Sequence, residues 1–174
     1  MDKIVTHAGP KAHFDEFLAI GLLLAEKGST DTPVFRKKKV SDPDVYAEDA
    51  AVVDIGGEHD SSRLNFDHHQ SGENLPSSMR LVARHLGLDE AFDKVFEWYE
   101  FRDTLDCVGP GAAARAVGIE GDIRPTASPI EGYVLNTFAG REGRVPRPLV
   151  KLMEGFARSL IDRALSFEEM LDSF

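Results

Sequence analysis

Two stretches carry most of the side chains able to do chemistry. In "IVTHAGPKAHFDEF", residues 4–17, His7, His13 and Asp15 stand close together, and in "VVDIGGEHDSSRLNFDHHQ", residues 52–70, Asp54 closes one apolar run while Asp67, His68 and His69 follow another. Five of the chain's 6 histidines lie in these two stretches, and four of them, His7, His13, His68 and His69, belong to this set. Imidazole nitrogens mixed with carboxylates suit borderline divalent ions such as Mn²⁺, Fe²⁺, Co²⁺ or Zn²⁺ better than Ca²⁺, which prefers oxygen alone. An aspartate between two ligand sets can bridge ions about 3.5–4 Å apart, the arrangement that activates a water and steadies both oxygens in phosphoryl displacement. Taken singly, each residue has an ordinary use: a histidine near a strand end forms structural hydrogen bonds, and Asp54 ahead of Gly56 and Gly57 is a turn former. Taken together, they point to a metal centre.

The elements that must position these residues alternate. Residues 3–6 read as a short strand, followed by a Gly-Pro loop and then by Phe14, Phe17, Leu18, Leu22 and Ala25 at helical spacing, with Gly28 as the stop. Residues 33–40 read as a second strand, 50–55 as a buried parallel strand ending near Asp54, and 64–66 as a further short strand ending at Asp67. Beyond Ser77, a candidate N-cap, the spacing predicts helices over 78–86, 89–102, 128–139 and 147–165, with further helical turns after Ser166. Alternating strands and helices predict an α/β fold, a parallel doubly wound sheet in residues 1–110 followed by a helical C-terminal extension over 111–174, all in one domain. Ligands in such sheets bind beyond the carboxyl ends of the strands, where His7, Asp54 and His68 fall.

Composition narrows the function classes. At 174 residues, 42% hydrophobic and 29% charged, the sequence describes a soluble globular domain. No stretch approaches the roughly 20 apolar residues of a membrane span, and no signal-peptide pattern opens the chain, so a cytoplasmic protein without a membrane partner is expected. The single cysteine, Cys107, cannot form an intramolecular disulfide. A formal charge of −10 is a poor surface for tracking long nucleic acid, and an anionic substrate needs a local device such as bound cations.

The stretches "TH" with "HFDEFLA", then "VVDIGGEHD", then "NFDHHQ" resemble the motifs of the DHH phosphoesterase superfamily, most closely its melanocyte-proliferating-gene-related branch. The resemblance covers about the first 110 residues. It implies a two-metal, usually Mn²⁺-dependent hydrolase of phosphodiester or phosphoanhydride bonds, with a metal-bridging hydroxide as attacking group. Carried across, His7 and His13 would hold the first metal, Asp15 and His68 the second, and Asp54 would bridge them. His69 would face the substrate phosphate, and Asp67 would orient the histidine pair. Asp103, in Asp103-Thr104, fits the fourth motif as the last ligand, with Asp106 as its substitute. Relatives often have Asp-Asn-Gly where this chain has Asp106-Cys107-Val108, and they usually carry a second, C-terminal substrate domain for which the residues after Asp103 are too few.

Other charged positions complete the reading. Arg141, Arg144 and Arg147 form a basic loop suited to bidentate phosphate contacts, or simply to solvent. Residues 36–39 read as a solvated strand edge, Cys107 as packing, and His59 and His85 as surface residues. The expected activity is hydrolysis of a phosphodiester in a short oligonucleotide or small nucleotide. Pyrophosphate hydrolysis, and a non-catalytic metal- or nucleotide-binding module, are the alternatives. The apolar stripe Leu149, Leu152, Met153, Phe156 and Leu160 suits either a homodimer interface or core burial.

Overall fold

A computed structural model describes residues 1–39, 41–43, 45–70, 74–119 and 129–172. In chain order the elements are β1 (Lys3–His7), α1 (Phe14–Lys27), β2 (Val34–Lys37), β3 (Ala50–Val53), β4 (His59–Asp60), a 3-10 turn (Ser61–Arg63), β5 (Asn65–Phe66), α2 (Ser78–His85), α3 (Asp89–Val95), α4 (Trp98–Val108), α5 (Pro110–Ala116), α6 (Pro129–Phe138), β6 (Gly143–Arg144) and α7 (Arg147–Asp172). The strands form one mixed sheet in the order β4-β5-β3-β1-β2-β6. The inner pairs β1–β2, β1–β3 and β3–β5 are parallel, and the outer strands β4 and β6 run antiparallel to their neighbours.

Alternation along each strand sorts the core into two faces. Ile4, Val34, Ala51, Val53 and Phe66 point to the face covered by helices, where α1 lies between the sheet and α7. Val5, Ala50 and Val52 point the other way and are covered by Val45 and Ile55 from loops. The second helical layer of a doubly wound sheet is therefore absent among the described residues. The segment joining β2 to β3 has no helical periodicity, and the strands it covers are short enough for a loop to seal.

Helix α1 stops as its sequence predicts. Gly28 adopts φ 67°, its N–H bonds to Ala25 O, and the Ser29 N–H reaches back to Leu24 O. Mid-helix, Gly21 permits the close approach of α7: a Cβ there would sit 2.4 Å from the Met153 carbonyl oxygen. Met153 and Leu160 are buried in this contact, and Phe156 packs edge-on against Phe14.

Three departures from expectation have physical causes. The helix expected over 89–102 is two helices, broken where Phe96 is extended (φ −118°, ψ 99°). The break lets Phe96 stack on Trp98 while Phe92 and Tyr99 stay buried. The extension after residue 110 is not wholly helical, because β6 returns to pair with β2. Arg36 is not a solvated edge residue: β6 closes that edge and the side chain is buried. Val40 and Ser128, at the limits of two expected elements, lie outside the described residues. Among the described residues no helix is long and apolar enough to cross a membrane.

Candidate metal centre

Parallel strands carry three chain segments to one edge of the sheet. His7 is the last residue of β1, Asp54 follows β3, and Asp67, His68 and His69 follow β5. Asp54 has φ 56°, a left-handed conformation that aspartate tolerates and that turns the chain sharply after β3 toward Gly56. Before α1, His13 is extended (φ −108°, ψ 157°) and occupies the N-cap, which aims Asp15 of the first turn toward the same edge. Asp106 comes from α4.

Asp54 lies at the middle of the cluster. Its Oδ2 is 3.2 Å from His7 Nε2 and its Oδ1 is 3.2 Å from His68 Nε2. His68 Nε2 is also 3.1 Å from Asp106 Oδ2, and His13 Nδ1 is 3.5 Å from Asp106 Oδ1. Among the described residues three overlapping groups have ligand atoms all within 4.8 Å of one another: His7, His13 and Asp54; Asp54, His68 and His69; His13, Asp15 and Asp106. Asp54 and His13 are each shared by two of these groups.

The donor set fits divalent cations on a test internal to the protein. Buried polar atoms are normally hydrogen-bonded. Here both carboxylate oxygens of Asp15, Asp54 Oδ1, and the Nε2 atoms of His7 and His68 are buried without a hydrogen-bond partner. The short His–Asp approaches bring these nitrogen and oxygen atoms to a common region without the alignment of hydrogen bonds. The seven residues of these groups offer hard carboxylate oxygens and borderline imidazole nitrogens together, a donor set that a first-row divalent ion accepts.

The charges are strongly perturbed. Burial lowers the His7 pKa, but Asp54 and Glu16 outweigh it and raise it to about 10. Burial likewise opposes Asp106 and Asp54 at His68, where the carboxylates win and the pKa rises to about 12. His13 is raised chiefly by Asp106, and His69 chiefly by Asp67. Asp106 is held well below the usual carboxylate range by His13 and His68 in spite of burial. Asp15 goes the other way: burial, then the charges of Asp54, Asp106 and Glu16, push it well above that range.

A supporting shell surrounds the cluster. Asp67 accepts hydrogen bonds from the backbone N–H groups of Gly57, His68 and His69, and its Oδ1 lies 2.6 Å from His69 Nδ1. Glu16, singled out by nothing in its spacing beyond its place beside Asp15, is fully buried. It accepts from Thr6 Oγ1 and from the His13 N–H and lies 3.1 Å from His7 Nε2. Behind it, Arg36 donates to Phe138 O, lies over the Phe138 ring at 4.1 Å, and reaches within 3.6 Å of Glu16. Cys107 places its exposed thiol 3.9 Å from His68 Nδ1.

Not every residue singled out in the sequence joins the cluster. Asp103 Oδ1 accepts from Ser77 N and Oγ just before α2, and Oδ2 is 3.6 Å from Arg80; Asp106, one turn on, faces His13 and His68. The arginines of the basic loop are dispersed. Arg144 and Arg147 line a cavity with Asp31 and Thr32 at the amino end of β2, the opposite end of the sheet from His7, and Arg147 pairs with Asp31. Arg141 is exposed beside Gly140, whose N–H bonds to Gly9 O near the cluster. His59 bonds to Asn65 O, and His85 packs on Phe66.

Residues 3–86, which carry every member of the cluster up to His69, match the family MYG1_exonuc, an uncharacterised protein family (UPF0160). The chain is also similar to curated MYG1 proteins. The MYG1 protein of Dictyostelium discoideum is 34% identical over 95 residues, 49% of this chain and 28% of its own. The MYG1 exonuclease of Homo sapiens is 41% identical over 68 residues, 39% of this chain and 17% of its own. The chain thus spans less than a third of the length of these relatives. No solved structure matches.

Proposed function

We propose that this chain is a divalent-metal-dependent phosphoesterase that hydrolyses a phosphodiester in a short oligonucleotide or small nucleotide. The observation that carries the reading is the set of buried, unpartnered ligand atoms on Asp15, Asp54, His7 and His68, which a hydrogen-bonded structural cluster does not need. His7, His13, Asp15, Asp54, His68 and Asp106 would hold two ions, Mn²⁺ foremost, with Asp54 between them. Bound there, divalent cations would lower the pKa of a water and offset charge on phosphoryl oxygens.

The chain's own residues do the rest. Asp67 holds the His69 ring, whose side chain is 60% exposed, so that it can donate a proton to a phosphoryl oxygen at the mouth of the site. Glu16 and Arg36 fix His7 and the start of α1 from behind. Similarity to a relative named an exonuclease supports phosphodiester over phosphoanhydride cleavage, and the charge of −10 supports a short substrate over a polymer. A metal- or nucleotide-binding module without turnover is the second reading.

The test is hydrolysis of a short oligonucleotide, a chromogenic phosphodiester and pyrophosphate by metal-stripped protein resupplied with Mn²⁺, Mg²⁺ or Zn²⁺, with Asp54→Asn beside it. Metal-dependent diester cleavage that disappears in the variant is expected. Metal binding without cleavage of any of the three would leave the binding module.

A further inference from the structure

Two cavities meet at the start of α1. The first, a cleft of about 710 Å³, opens along His13, Asp15 and Asp106 and has Arg102 and Lys11 as its cationic lining. A cleft of this size falls within the roughly 300–1,000 Å³ of small-molecule sites. The second, about 290 Å³, is walled by Phe14, Phe17, Phe156, Val134, Leu152 and Ile130. The two share Phe14, Glu131 and Leu135, so they lie side by side. An aromatic pocket opening off so acidic a centre is not needed to hold ions or to hydrolyse an inorganic anion.

The polar groups at the junction say what spans it. Arg102 on α4 is one turn before Asp106, its guanidinium lies 5.0 Å over the Phe14 ring, and its Nη2 donates to Glu131 Oε2 at 2.6 Å. It is thus held where a phosphate leaving the acidic cluster meets the aromatic pocket, in the fixed, planar form suited to phosphate recognition. Beyond it, aromatic rings stack with any nucleobase face. Consecutive residues set the division: His13 and Asp15 serve the cluster, and Phe14 between them serves the pocket.

We propose that the cleft and the aromatic pocket form one nucleotide site, with the phosphate ester over the cations that His13, Asp15 and Asp106 would hold, beside Arg102, and the base on the apolar wall that Phe14, Phe17 and Phe156 build together. This rests on the phosphoesterase reading and deepens it. The recognised unit is a nucleoside phosphate, and inorganic pyrophosphate engages only half of the site.

The protein carries its own reporter. Its one tryptophan, Trp98, meets the Phe14 ring edge-on at 5.5 Å. Full-length chain, with and without Mn²⁺, is titrated with adenosine 5′-monophosphate, ribose 5-phosphate and pyrophosphate, following Trp98 emission and the heat of binding. Wild type is expected to bind the nucleotide at least tenfold more tightly than ribose 5-phosphate. Val134→Phe, which fills the pocket, is expected to lose that preference while keeping wild-type Mn²⁺ affinity and thermal transition. Arg102→Ala is expected to weaken the nucleotide and ribose 5-phosphate alike. Equal affinity for nucleotide and ribose 5-phosphate, or a preference that survives Val134→Phe, overturns the proposal while leaving the metal centre standing. Nucleotide preference in a protein that binds no Mn²⁺ would keep the pocket and sink the phosphoesterase.

Discussion

Asp15→Asn is expected to make the metal-free protein more stable. Asp15 is 2% exposed, neither of its oxygens accepts a hydrogen bond, and Asp54, Asp106 and Glu16 surround it. Its pKa rises from the ordinary 3.8 when the chain folds, first through burial and then through those charges. The folded state therefore binds the proton more tightly than the unfolded chain. Folding carries no penalty from this group below pH 3.8, and carries the full penalty once the pH passes the raised value. An unpaired buried polar group costs about 1–3 kcal/mol, and a charged one more. The amide removes the charge and can donate to the neighbouring carboxylates, so a gain of about 1–3 kcal/mol is expected, or roughly 2–12 °C in Tm for a domain of this size. Metal should reverse the order. A hundredfold excess over Kd stabilises a single-site protein by about 2.7 kcal/mol, a gain the variant loses with its ligand. Differential scanning calorimetry with chelator and then with Mn²⁺ reads both effects. A variant that melts below wild type in chelator would show that Asp15 is a satisfied structural group, and the metal-centre argument would lose its main support.

Two further measurements bear on the same cluster. Asp106→Ala should weaken Mn²⁺ binding by at least tenfold in calorimetry, whereas Asp103→Ala should leave it unchanged and lower stability by about 1 kcal/mol through loss of the hydrogen bonds from Ser77; the opposite pattern would return the fourth motif to Asp103. Because the folded pKa values of His7 and His68 rise to about 10 and about 12, their contribution to metal-free stability is complete below the ordinary 6.5 and is lost as the pH climbs through those raised values. At pH 7 both imidazoles carry protons that metal must displace, so Mn²⁺ affinity should climb about tenfold per pH unit for each proton released. Titration in buffers of different ionisation enthalpy reads that release, and identical heats in all buffers would contradict it.

The sequence reveals the residues that gather and hides what braces them. Buried parallel strands read as apolar runs, and a histidine or aspartate at the end of such a run stands out; that is why His7, Asp54 and the Asp67–His69 turn are visible without coordinates. Arg36 is not, because its meaning depends on Phe138, more than 100 residues away, and Glu16 is not, because only its burial against Thr6, His7 and Arg36 tells it from an exposed first-turn acid. The choice between Asp103 and Asp106 depends on the rotation of α4 about its axis, which Ser77 and Arg80 set from a different helix. Strands β4 and β6, two residues each, are too short to show alternation. The break at Phe96 follows from aromatic packing that helical spacing alone does not encode. The expected second helical layer fails because a loop suffices to cover Val5 and Val52.

The return of β6 to β2 bears on how this chain could be cut or recombined. A fragment ending near residue 110 would keep every proposed ligand and still lose four supports: the strand that shields the β2 edge, the Phe138 carbonyl under Arg36, the Gly140 contact to the Gly9 loop, and the α7 layer against Gly21. Exchanging C-terminal segments among relatives by simple splicing after α4 would then deliver a ligand set with no scaffold behind it. A workable chimera must take its donor segment with a β6 equivalent and a helix whose backbone can lie against a glycine.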